Sequence, residues 1–182
     1  MEEVLIIINI FKKKLTTVEA SERLYDYTRA MSTSIVSDSQ SLLSLGFENS
    51  NINITELLFF QYIMYRTNLI LWSKLQDELL YGEISKQYYS LCAHYINKIN
   101  SYEVEGLNNT NALGRKLFSE FDKLLRDNYE ERIKVINSQL SILYYYIKGV
   151  EPTLEERLYS LSLALKIEDS LLEEVDLIID EI

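Results

Sequence analysis

The stretch from Leu57 to Trp72 constrains the fold more than any other part of the chain: Leu-Leu-Phe-Phe-Gln-Tyr-Ile-Met-Tyr-Arg-Thr-Asn-Leu-Ile-Leu-Trp. On a helical wheel its apolar side chains cover nearly the whole circumference, interrupted only by Gln61, Arg66, Thr67 and Asn68. A helix that is apolar all round has to be enclosed by other elements, because no single face can be left to water. Arg66 and Asn68 argue against a bilayer as the enclosing medium. The stretch therefore reads as a central helix inside a protein core.

What encloses it has to be helical as well. Five Gly and one Pro in 182 residues are too few for a turn-rich β protein, and 47% hydrophobic residues are enough for a real core. The expectation is an all-α protein: an irregular multi-helix bundle of about six to eight helices around a central helix at about 54–81. Residues 1–182 are expected to form one domain, with an acidic helical pair at 151–182 packed on it.

Along the chain, Val4 to Phe11 is a short apolar run that reads as a helix, since no second strand-like segment is available to pair with it. Thr16 and Glu19 have capping-box spacing, and Ala20, Leu24, Tyr27, Met31 and Ile35 follow as one apolar face. Ser37 to Gly46 predicts a short helix stopped by Gly46. Asn53 and Glu56 resemble a cap opening the central helix, which Gly82 is expected to stop; from Ile84 a further helix runs to Tyr102. Leu113, Leu117, Phe121 and Leu124 start one stripe, and Ile133, Ile136, Leu140, Leu143 and Ile147 another. Near 3.5-residue spacing joins them into one long helix at 111–148, while Asp127 with Glu130 offers a cap for a second helix; the two readings stand equal. Gly149 ends the element in either case.

Pro152 suits a first helical turn, and Thr153 with Glu156 again has capping-box spacing. Leu154, Leu158, Leu161 and Leu165 form a stripe that, if continued, buries Glu168, an expensive place for an unpaired carboxylate. A turn or kink near Lys166 avoids this, so two short helices are expected, the second with Ile167, Leu171, Val175, Ile178 and Ile182 inward.

The net charge is −10, and its placement is uneven: from Glu151 to Ile182 ten Asp or Glu stand against Arg157 and Lys166, giving that segment −8. Asp169, Glu173, Glu174, Asp176, Asp180 and Glu181 occupy the side of the last helix opposite its apolar stripe. Such crowding repels itself, and Asp180 and Glu181 stand at the helix end that favours cations. The functional reading is a partner-binding face for a basic protein surface, or a mimic of nucleic-acid phosphates; the bland reading is a solvated face that keeps the protein soluble. The acidity argues against nucleic-acid binding and against docking on anionic membranes.

Other chemistry is sparse. The only histidine, His94, has Leu91 where a Glu-x-x-His metal motif needs Glu, and nothing pairs with the single Cys92 to suggest an activated thiol. Glu168, Asp169, Glu173 and Asp176 are helically spaced for magnesium, a weaker reading. Gln61, Arg66 and Asn68 are the polar groups available to an internal pocket. Fourteen tyrosines include the run Tyr144, Tyr145 and Tyr146, which must point three ways from any helix, so at least one faces solvent or another subunit. Arg115, Lys116, Lys123, Arg126, Arg132 and Lys134 interleave with Glu120, Asp122, Glu130 and Glu131 as a salt-bridged face.

Lys-Leu-Thr-Thr-Val-Glu-Ala-Ser-Glu-Arg-Leu at Lys14 to Leu24 resembles the opening of small helical immunity proteins of the colicin type, a likeness confined to that short stretch and to its cap chemistry. The acidic last helix, with −8 of the −10 net charge in its segment, makes the expected function a non-enzymatic, cytoplasmic protein-binding module, an inhibitor or immunity-type protein masking a basic partner, with no cofactor and no metal. A helical bundle with an internal small-molecule site or carboxylate and magnesium chemistry is the alternative, and a structural homo-oligomer is a third.

Overall fold

In the computed structural model, residues 14–101, 110–128 and 130–182 are described. They form seven helices and no strand: α1 (Thr17–Ser37), α2 (Ser39–Ser44), α3 (Ile52–Lys74), α4 (Glu78–Ser101), α5 (Thr110–Asp127), α6 (Arg132–Lys148) and α7 (Leu154–Glu181). The protein is an all-α multi-helix bundle. The helix expected at Val4 to Phe11 and most of the loop expected at 103–110 lie outside the described residues; Thr110 itself opens α5.

α3 is the axis. It touches α1, α4, α5, α6 and α7, and every residue from Leu57 to Thr67 is buried. Burial of a Leu or Phe side chain is worth about 1.5–3 kcal/mol each, which makes this segment the main source of core stability. Trp72 departs from the expectation at 64% exposed: in the last turn of α3 Leu71 still faces the core, and Trp72 lies on the side turned to solvent. Side-chain contacts give the directions. Arg66 meets Glu168 and Lys74 meets Asp176, so α3 and α7 run parallel. Gln61 lies against Gly114 and Tyr65 against Phe118, so α5 also runs parallel to α3, while Tyr146 of α6 bonds to Glu120 of α5.

The central helix is shorter and earlier than the expected 54–81. Asn51, not Asn53, caps it, accepting from the amides of Asn53 and Ile54 at 3.0 and 3.2 Å. It ends at Lys74, and Asp77 then starts α4 by accepting from the amides of Leu79 and Leu80 at 2.9 and 3.0 Å. Gly82 is not a stop; it lies in the second turn of α4. Nothing lies within 4 Å of the place a Cβ would take there, so neither packing nor backbone demands a glycine. The chain does double back, since Asn68 of α3 bonds to Tyr81 and Ser85 of α4.

The other expected caps and stops fare unevenly. Thr16 and Glu19 form the capping box of α1, and Thr153 and Glu156 that of α7. Gly46 and Gly149 take positive φ values of 70° and 73° after α2 and α6. The region 111–148 divides into two helices, but Glu131 occupies the cap of α6 without a side-chain bond, so the cap expected from Asp127 is not formed. Pro152 lies before the Thr153 cap, not inside the first turn, and its ring is buried.

Candidate functional site

α7 organises both groups of candidate residues. It is one helix of 28 residues where two short ones were expected. Its buried positions are Ser160, Ala164, Ile167, Glu168, Leu171, Val175 and Ile178, a single face at steps of three and four with no change of phase. The stripe predicted from Leu154 is not this face. Leu154 and Leu158 are 75% and 62% exposed, and Leu161 and Leu165 are half-buried along its edge. The bundle packs the small Ser160 and Ala164 inward, which lets the first half of α7 approach its neighbours closely.

The continuous helix buries Glu168, 2% exposed, and the structure supplies the partner that sequence reasoning lacked. Arg66, 5% exposed on α3, donates through Nε to Glu168 Oε2 at 2.8 Å and through Nη2 to Oε1, the paired geometry in which guanidinium and carboxylate fit best. Arg132 of α6 adds a bond from Nη2 to Oε1 at 3.2 Å. Arg66 Nη1 reaches Gln139 Oε1 at 3.5 Å. Burial works against the charge on Arg66, but the hydrogen bonds and charge of Glu168 overcome it, so the guanidinium is held above its ordinary pKa. With both oxygens of Glu168 engaged by arginines, the group joins three helices and is not placed to act as an acid or base.

Gln61, Arg66 and Asn68 do not converge. Gln61 packs against Gly114 of α5, where an added Cβ would stand 2.9 Å from its Nε2. Arg66 faces α7 and α6, and Asn68 faces α4. The pocket expected from these three is replaced by three separate contacts. Around the buried pair, Tyr62 Oη and Gln139 Nε2 have no hydrogen-bond partner among the described residues, and neither has Gln61 Oε1.

The six predicted partner-binding acids divide equally. Glu174 and Glu181 both turn toward α1 and share Arg23, at 2.6 and 2.8 Å. The hydrogen bond that Arg23 donates to Glu174 is the largest influence holding Arg23 above its ordinary pKa. Asp176 meets Lys74 at 2.8 Å. Asp169, Glu173 and Asp180 are exposed and form no ion pair among the described residues. Sequence spacing placed all six opposite the apolar stripe; it carried no sign that basic residues on α1 and α3 would take half of them.

The remaining candidates are quiet. His94 is exposed, and Cys92 is fully buried with its thiol pushed up to about 12 by burial, the reverse of an activated nucleophile. Among the described residues no group of three or more His, Cys, Asp or Glu could hold a metal ion, and no helix is long and apolar enough to cross a membrane. The three consecutive tyrosines do diverge: Tyr144 is buried against Phe47, Tyr145 is 53% exposed, and Tyr146 donates to Glu120 at 3.0 Å. Comparison of the chain with protein-family models, with curated proteins and with solved structures returns no match.

Proposed function

We propose that this protein is a non-enzymatic binding module whose outer α7 face captures a basic surface on another protein. The observation that carries the reading is the state of Asp169, Glu173 and Asp180: three exposed carboxylates on one rigid helix, unneutralised by any described cation, in the segment that holds −8 of the −10 net charge. Like charges this close repel one another in the free protein, and a cationic partner relieves that repulsion on docking. Attraction of this kind speeds encounter and weakens as salt rises. An inhibitor or immunity-type role, in which the captured surface is masked, is the form of this function we favour, in a cytoplasmic setting.

The test is capture from native lysate at low and high salt with the full chain and with the triple variant Asp169→Lys, Glu173→Lys, Asp180→Lys. These three positions leave the ion pairs of Arg23 and Lys74 intact, so the fold is expected to survive, as circular dichroism will show. The expected result is a basic protein captured at low salt, released at high salt and absent with the variant. Capture that the variant leaves unchanged overturns the reading.

A further inference from the structure

The run Tyr144-Tyr145-Tyr146 builds a second feature, away from the acidic face of α7. Between α5 and α6 lies a cleft of about 260 Å³, with Lys116, Glu120, Ser141, Tyr145, Tyr146 and Glu151 among the residues lining it. The rings of Tyr145 and Tyr146 stand 6.5 Å apart at 77°, which makes them two walls of a corner. A cation already uses one wall: Lys116 Nζ lies 5.5 Å from the centre of the Tyr146 ring. Carboxylates close the corner. Glu120 accepts from Tyr146 Oη at 3.0 Å, fixing that ring, while Glu151 stands at the cleft with Arg157 3.3 Å away. Ser141 is spent on the Asn137 carbonyl, so it offers no competing donor.

We propose that this corner is a binding site for a small organic ammonium group, a quaternary or methylated one above all. Perpendicular aromatic walls present their negative faces to a cation, and an alkylated ammonium loses little hydration on entering such a corner. Arg157 offsets Glu151, and Glu120 is the carboxylate that Lys116 answers, so a ligand that displaces Lys116 meets Glu120 as its counter-charge. Its volume falls slightly below the usual range of about 300–1,000 Å³ for ligand sites, which suits a headgroup and not a larger molecule. Lys116 is exposed, and it acts as a tethered stand-in that a ligand displaces.

The experiment is calorimetric or ligand-observed NMR titration of the full chain with choline chloride at constant ionic strength. The controls are sodium chloride and the uncharged carbon isostere 3,3-dimethylbutanol. Saturable choline binding is expected, tightened by Lys116→Ala, which removes the built-in competitor, and weakened about tenfold by Tyr145→Ala or by Glu120→Gln. Tyr145 is half exposed, so its truncation leaves the core intact and keeps that arm interpretable. The proposal is overturned if neither the natural chain nor Lys116→Ala binds choline saturably, if Tyr145→Ala binds it unchanged, or if the uncharged isostere binds equally well.

Discussion

The inner and outer faces of α7 place the same chemistry under opposite conditions, most plainly at two adjacent residues: Glu168 is 2% exposed and held by Arg66 and Arg132, whereas Asp169 is exposed with no ion pair among the described residues. On the inside, a carboxylate is tolerated because a guanidinium replaces the water it lost. On the outside, water itself solvates the charge, and a partner is optional. The difference teaches that acidity along one helix has two meanings. The buried acid fixes how α7 sits against α3 and α6; the exposed acids are free to meet something else.

Breaking the inner pair has the largest expected effect. Glu168→Ala leaves Arg66 buried without its counter-ion, and removal of one member of a buried pair costs about 3–5 kcal/mol. Urea denaturation should show a large fall in midpoint, with Arg66→Met comparable. The double variant Arg66→Met, Glu168→Leu should recover most of the loss, since replacing both members by apolar groups of similar size is often neutral. A double variant as unstable as either single one would mean that the pair has a net stabilising role beyond satisfying its own burial.

The next effect sits between the two faces. Arg23 is about one third exposed and holds Glu174 and Glu181 together. Solvent screens these contacts, so Arg23→Ala is expected to cost only about 1 kcal/mol. It should also enlarge the acidic face by freeing two carboxylates, and thereby raise the salt sensitivity of any basic partner's association. An Arg23→Ala loss near that of Glu168→Ala would remove the distinction between buried and screened pairs on which the comparison rests.

The same contrast explains what was legible in the sequence. Cap chemistry is local, so Thr16 with Glu19 and Thr153 with Glu156 were readable from spacing alone, and so were the glycines that take left-handed conformations at 46 and 149. The apolar circumference of Leu57 to Trp72 also announced a surrounded helix. Gly82 misled because it resembles a stop signal, while Asp77, five residues earlier, offers the stronger local alternative of accepting two backbone amides. The unbroken α7 was missed for a nonlocal reason. Burying Glu168 is prohibitive only if nothing answers it, and its answer lies 102 residues away on α3. One clue was available: Arg66 is the only charged residue in the stretch Leu57 to Trp72, so it required a partner from somewhere. For the outer face, the charge excess was visible but its neutralisation by Arg23 and Lys74 was not, because long basic side chains on other helices leave no periodic trace.

The smallest expected effect is the one that isolates the outer face. Asp169→Asn, Glu173→Gln and Asp180→Asn together remove three exposed charges and no described ion pair. The two positions four apart on one helix repel each other, and Asp180 also opposes the negative end of the helix dipole. The triple variant should therefore be slightly more stable than the natural chain, by a few tenths of a kcal/mol up to about 1 kcal/mol. That gain should be greatest at low ionic strength and vanish as salt screens the repulsion. Thermal melts across a salt series measure it directly. A stabilised variant that has also lost its partner would show that the outer charges are retained against the interest of stability, whereas a destabilised variant would mean that they hold the fold together and that α7 has no free face to offer.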